Sequence, residues 1–269
     1  MEPLVILIDL DGTMQGNVLP QIKEKEIVDF INKLKSTSQR VNYKDMYLFS
    51  DMRKGLIRPY LQEALFEIKK AHSNVEFFVY TASSDNWANF LLPKINRFLF
   101  DNKKIINKPF FTRKHCLING KKHIEPLKPL IFNALKHKYP KSNLNNIFLI
   151  DNNYVLTKPE FNRLIYCPTY DMTILNCPLR NFNKGIIENY YKELAFYMYR
   201  SRVRSVRDFL RLYYDKSVKE YIYLDNYNSK YKNDNYWLNV KNVFLSYNKL
   251  VSQKDVNSLI KELKHLKVN

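Results

Sequence analysis

Asp9 and Asp11 stand two residues apart at the end of an unbroken apolar run, Leu4-Val5-Ile6-Leu7-Ile8, and are followed by Gly12-Thr13. Such a run reads as a buried strand, and alternation along an extended chain puts both carboxylates on the same side where the backbone turns out of the sheet. In open α/β sheets ligands bind beyond the carboxyl ends of the strands. Two like charges this close call for a cation, and a hard, oxygen-seeking one such as Mg²⁺ suits them. On their own, the same residues also describe a strand end closed by Asp, a common turn former.

Three further segments supply the elements that must position such a pair. Val75-Glu76-Phe77-Phe78-Val79-Tyr80 is a second β-rich run, ending in Thr81-Ala82-Ser83-Ser84. A helix is expected over 85–98, with Ser83 and Ser84 as caps and its N-terminus as an anion site. Asn146-Ile147-Phe148-Leu149-Ile150 is a third buried-strand pattern and leads into Asp151-Asn152-Asn153. Between them, Lys128-Pro129 opens a helix whose first turn tolerates the missing proline N–H. Lys121 and Lys122 lie nearby.

In this order the segments resemble the four motifs of the haloacid dehalogenase (HAD) superfamily, motif I being Asp9-Leu10-Asp11-Gly12-Thr13. The resemblance implies an α/β Rossmannoid parallel sheet flanked by helices, with Asp9 as nucleophile toward phosphorus and Asp11 as general acid and base. Thr81 would bind a phosphoryl oxygen and Lys128 would be the motif III lysine. Mg²⁺ would be held by Asp9, the backbone carbonyl of Asp11 and Asn152, with Asp151 holding the lysine or a metal-bound water.

A narrower resemblance is to the phosphatases of the RNA polymerase II carboxy-terminal domain and their NLI-interacting-factor relatives. It rests on Ile57-Arg58-Pro59-Tyr60-Leu61, on Val79-Tyr80-Thr81-Ala82-Ser83, on Phe111-Thr112-Arg113-Lys114-His115-Cys116 with Asn119-Gly120-Lys121-Lys122, and on Asp151-Asn152. It spans roughly residues 1–180 and implies substrate contacts at Ser83 and Arg113. Two positions depart from it: motif I continues Gly12-Thr13-Met14, and strict local spacing puts Glu125 where that family has its lysine. Lys128 takes the role by a small loop shift.

The chain these segments imply attacks a phosphomonoester with Asp9 and divides one difficult displacement into two through an aspartyl-phosphate. Asp11 protonates the departing alkoxide and then activates the hydrolytic water. Lys128 and Thr81 neutralise the equatorial oxygens. A phosphoprotein is the favoured substrate and a nucleic-acid end the second choice. The other reading is a weakly active or inactive HAD-fold scaffold that binds partners through a basic surface.

Composition agrees with a folded enzyme. The chain has 269 residues, 45% of them hydrophobic, which excludes wholesale disorder. Cys116, Cys167 and Cys177 are too few and too scattered for a disulfide framework or a zinc site. No uncharged run approaches the roughly 18 residues needed to cross a bilayer, and no secretory leader is expected before the first strand. An intracellular protein, cytoplasmic or nuclear, is expected.

The expected organisation is a core over 1–180, a small insert over 14–56 with a helix over 21–34, and little or no cap. A Tyr/Lys/Asn-rich helical extension follows over 181–269, with helices over 186–214 and 256–266. The formal charge is +18. In the extension Arg200, Arg204, Arg207 and Arg211 fall on one helical face, where they could track a nucleic-acid backbone or form a solvated surface. The Lys/Asn/Tyr bias is that of an A+T-rich genome, such as a large DNA virus or an intracellular parasite.

Overall fold

The computed structural model describes residues 2–34, 40–175, 179–194, 228–250 and 252–266. In chain order its principal elements are β1 (Leu4–Ile8), α1 (Leu19–Leu34), α2 (Asp45–Asp51), α3 (Leu61–Ala71), β2 (Val75–Val79) and α4 (Asp85–Phe100). They are followed by α5 (Lys128–Leu135), β3 (Ile147–Asp151), β4 (Leu164–Tyr166), α6 (Lys184–Asn189), α7 (Tyr236–Leu245) and α8 (Gln253–Lys264).

The apolar run of β1 is buried at every position because it lies inside a parallel sheet. The strand order among the described residues is β2-β1-β3-β4, and every pairing is parallel. Ile8 stands in register with Val79 on one side and Ile150 on the other. The three strands therefore end together, and Asp9, Thr81 and Asp151 leave the sheet along one edge. This is the α/β parallel sheet that the sequence implies.

Local chemistry explains the helices that flank the sheet. On α3 the buried residues Leu61, Ala64, Leu65 and Ile68 follow the spacing of one helical face. Helix α4 starts at Ser84, whose hydroxyl accepts from the Trp87 amide, and stops at Asp101 in the left-handed region (φ 48°). Helix α8 opens with a reciprocal cap between Ser252 and Asp255 and buries Val256, Leu259, Ile260 and Leu263. On one face of the sheet, Val5, Leu7, Phe78 and Leu149 pack with Ile131 and Leu135 of α5.

The chain divides into two compact units, Met1–Gly16 with Ile57–Asp171 and Asn233–Asn269, and Asn17–Leu56 with Met172–Lys232. The first holds the sheet, α3 to α5, α7 and α8. The second holds α1, α2 and α6 around Ile27, Val28, Ile31, Leu179, Phe182 and Ile187. It also encloses charge: Arg180 forks between the buried carboxylates of Glu24 (Nε to Oε1, 2.7 Å) and Asp51 (Nη2 to Oδ2, 2.7 Å).

Several elements differ from expectation. Helix α1 starts at Leu19 rather than 21, and α4 runs to Phe100 rather than 98. Helix α8 begins at Gln253 rather than 256. Neither β4 nor α7 was anticipated. Of the helix expected over 186–214, α6 is the described beginning, and the stripe of Arg200, Arg204, Arg207 and Arg211 lies outside the described residues. The expected 181–269 extension is shared between the two units, its last part folding with the sheet. Among the described residues no helix is long and apolar enough to cross a membrane.

Candidate active site

Asp9 follows β1 directly, its amide donating to the Ile150 carbonyl (2.9 Å), so the end of β3 fixes its backbone. Its side chain, only 8% exposed, accepts from Lys122 Nζ at 2.5 Å. Lys122 also donates to Asp151 Oδ2 (2.7 Å) and to the Tyr80 carbonyl (2.6 Å). One buried ammonium thus joins the ends of β1, β2 and β3. It comes from an extended segment tied to the core by the Lys122 amide, which donates to the Val155 carbonyl (2.9 Å).

These charges are unevenly matched. Burial pushes the Asp9 carboxyl up to about 7, with Lys122 pulling it down and Asp151 and Asp11 pushing it up. Burial also works against the Lys122 ammonium, but Asp9 and Asp151 outweigh it and raise its pKa. A group of carboxylates around one ammonium leaves room for further positive charge.

Asp11 is held from two sides. Gln15 Nε2 donates to its Oδ1 (2.9 Å) and the Ser83 hydroxyl donates to its Oδ2. Thr81 is buried at the floor of the site, where its Oγ1 accepts from the Ser83 amide (3.1 Å). Arg113 is steered to the rim by a hydrogen bond from Nε to the Ala82 carbonyl (2.8 Å). Asp9, Asp11, Thr81, Ser83, Arg113, Lys122 and Asp151 line one cleft of about 250 Å³.

Asn152 sits behind that cleft, against the motif I turn. Its Oδ1 accepts from Thr13 Oγ1 (3.3 Å) and its Nδ2 donates to Thr169 Oγ1 (3.1 Å). Gly12 makes this approach possible: its φ is +81°, and a Cβ there would fall 2.6 Å from Asn152 Nδ2. Asp151 Oδ1 accepts from the Asn153 amide (2.8 Å) and so closes the turn after β3.

Of the expected site residues, Asn152 stands behind the cleft and Lys128 is not brought to it. That lysine opens α5, where its Nζ pairs with Glu125 at 2.9 Å, and Arg163 meets the other Glu125 oxygen at 2.8 Å. Lys122 occupies the place assigned to it. The physical reason lies after Gly120, a turn residue with φ +76°: the chain runs extended from there, and alternation buries Lys122 and Ile124 while Lys121 stays exposed. That alternation was the available signal. Gln15 was missed as well, and nothing in its type or spacing distinguished it.

The donors near Asp9 are oxygens, as Mg²⁺ requires. Among the described residues no three His, Cys, Asp or Glu side chains form a metal-holding group. A small hard cation would instead combine Asp9 with the Asp11 main-chain carbonyl, water and the Asn152 amide oxygen, which here accepts from Thr13 Oγ1 and Asn153 Nδ2.

The parallel sheet and the carboxylate and lysine cluster at its carboxyl edge define a phosphatase of the haloacid dehalogenase type. The model of the NLI interacting factor-like phosphatase family matches residues 4–177, and the chain belongs to that family. No curated protein sequence matches it. Among solved structures it is similar to a fission yeast RNA polymerase II CTD phosphatase Fcp1 variant bound to beryllium fluoride. That likeness has 13% identity and a TM-score of 0.39, covering 99% of this chain and 68% of that one. A second Fcp1 structure gives 14% identity and a TM-score of 0.34, covering 84% of this chain and 64% of that one. A HAD-superfamily hydrolase of subfamily IA from Geobacter sulfurreducens gives 15% identity and a TM-score of 0.31, covering 57% of this chain and 81% of that one.

Proposed function

We propose that the chain is a Mg²⁺-dependent phosphomonoesterase that works through an aspartyl-phosphate at Asp9, with a phosphorylated protein as substrate. The observation that carries this reading is the cleft in which Asp9, Asp11 and Lys122 converge beside Thr81 and Arg113.

Asp9 Oδ2, the oxygen not engaged by Lys122, attacks phosphorus in line with the ester oxygen. The P–O ester bond breaks as the acyl phosphate forms. Asp11, oriented by Gln15 and Ser83, gives its proton to the leaving alkoxide and then removes one from the water that hydrolyses the intermediate. Lys122 neutralises phosphoryl oxygens, the Thr81 hydroxyl donates to one of them, and Arg113 meets the phosphoryl group from the rim. Asp9, the Asp11 carbonyl and Asn152 would hold Mg²⁺, which supplies charge neutralisation and polarises the phosphoryl group.

The size of the cleft bears on the substrate. Pockets that enclose a whole small molecule run to about 300–1,000 Å³. A cleft of about 250 Å³ accommodates the phosphoryl group and its first linkages, so the rest of the substrate extends outside it. A phosphorylated side chain on a peptide meets that condition.

The test is hydrolysis of para-nitrophenyl phosphate with and without Mg²⁺ by wild type and Asp9→Asn, followed by phosphoserine peptides against 5′-phosphorylated oligonucleotides. Mg²⁺-dependent turnover that is lost in Asp9→Asn, with peptides preferred, is expected. Preference for oligonucleotides would move the substrate to nucleic-acid ends. Absence of turnover on every substrate would refute the enzyme reading.

A further inference from the structure

We propose that α7, which lies beyond the family match, is part of the catalytic apparatus, with Trp237 acting as a positioning residue for Asn152 through Thr13. This rests on the Mg²⁺ reading given above.

The family match ends at residue 177, yet Asn233–Asn269 folds in the same compact unit as the sheet. One hydrogen bond attaches α7 directly to motif I. Trp237 is wholly buried, and its indole Nε1 donates to the Thr13 carbonyl at 3.2 Å. The Thr13 side chain in turn donates to Asn152 Oδ1. The residue after Thr13 is pinned too, because the Arg58 amide donates to the Met14 carbonyl (3.0 Å).

Arg58 leads back to α7. Its guanidinium, almost wholly buried, grips Asp234 in a fork (Nε to Oδ1, 2.9 Å; Nη2 to Oδ2, 2.8 Å). It also donates to the Pro168 carbonyl (2.9 Å) and packs over the Tyr236 ring at 4.7 Å. Asp234 Oδ1 accepts from the Tyr236 amide (3.2 Å), at the first residue of α7. The motif I turn is therefore clasped at Thr13 and Met14 by two groups that α7 supplies or holds. A planar, bidentate Arg–carboxylate pair fixes orientation as well as distance.

No residue of α7 lines the cleft, so its effect reaches the reaction through the motif I turn it clasps and the Asn152 that turn places. Partners that orient a ligating side chain change metal affinity when removed. Trp237→Phe deletes the N–H donor and keeps an aromatic ring, though the smaller ring also leaves a cavity in this buried site, so its stability loss is measured beside its Mg²⁺ affinity.

The experiment is calorimetric Mg²⁺ titration of the full chain without substrate, comparing wild type, Trp237→Phe, Thr13→Val and Ile260→Val. The last is a core change of α8 that gives modest destabilisation away from Thr13. Expected are about three- to tenfold weaker binding in Trp237→Phe, at least as large a loss in Thr13→Val, and no change in Ile260→Val. Urea midpoints confirm that every variant is folded. Trp237→Phe binding Mg²⁺ like wild type overturns the inference and leaves the proposed function standing, as does an equal loss in Ile260→Val. A wild type that binds no Mg²⁺ overturns the metal reading and this inference together.

Discussion

Replacing Lys122 by Met leaves Asp9 and Asp151 facing each other inside the protein with no positive partner. Both carboxylates are buried, their side chains 8% and 1% exposed, and Lys122 reaches them at 2.5 and 2.7 Å. Removing one member of such a buried group costs about 3–5 kcal/mol, because the charges left behind are uncompensated. Against a total stability of about 5–15 kcal/mol, Lys122→Met is folded but substantially weakened. With an m-value of about 2–3 kcal/mol/M, its urea midpoint falls by about 1–2 M. The same lysine is placed to neutralise the transferring phosphoryl group, so turnover of para-nitrophenyl phosphate falls by about 10³ or more, equivalent to about 4 kcal/mol. Lys128→Met is the matched control. Its partner Glu125 is 46% exposed, and such a surface pair contributes about 0–1 kcal/mol. That variant keeps turnover within about twofold. Asp9→Asn placed on Lys122→Met removes one of the stranded charges and recovers part of the lost stability without recovering activity. The reasoning is refuted if Lys128→Met loses as much activity as Lys122→Met, or if the double variant is no more stable than Lys122→Met.

Other outcomes follow from the same geometry. Glu76 on β2 is buried and accepts from Lys69 (2.6 Å), Lys138 (2.8 Å) and Asn107 (2.9 Å). Burial alone would raise its pKa, but these partners outweigh it and hold it below the ordinary 4.5. A depressed carboxyl stabilises the fold above its unfolded pKa and loses that contribution as pH falls through the folded value. Urea unfolding should therefore find Glu76→Gln weaker than wild type by about 1–3 kcal/mol at pH 7, the gap closing below pH 4.5. Asp9 behaves oppositely. With its pKa raised from 3.8 to about 7, its share of metal-free stability is present at low pH and is lost as pH rises through about 7. Asp9→Asn should flatten that fall in EDTA-treated protein. Gly12→Ala forces φ +81° on an L residue, at about 1–2 kcal/mol, and drives a methyl into Asn152. Mg²⁺ titration should show weaker binding than the stability loss alone explains.

Much of the site was legible in the sequence because parallel strands announce themselves. The runs ending at Ile8 and Ile150 are continuous and apolar, the one ending at Val79 is broken only by Glu76, and the chemistry-bearing residues stand immediately after them. Asp9, Asp11, Thr81, Ser83 and Asp151 are adjacent in space because the register makes those strand ends coincide. Lys122 was obscured because its segment is pinned by isolated bridging to residue 156 rather than by a strand of its own, so no run marked it out. The proline after Lys128 marks a helix start, and the lysine there pairs with Glu125 instead of entering the cleft. Gln15 and Trp237 are tied in by hydrogen bonds, one local across a turn and one over a separation of 224 residues, which hydrophobic periodicity does not encode. β4 was missed because its three residues are too short to show a period.

The most direct measurement is an acid quench of wild-type protein during turnover of a phosphomonoester with Mg²⁺, followed by peptide mass spectrometry. A covalent phosphate on the peptide that carries Asp9, absent from Asp9→Asn and accumulating when Asp11 is replaced by Asn, is the predicted result. Turnover with no phosphate on that peptide, or undiminished turnover in Asp9→Asn, would contradict it.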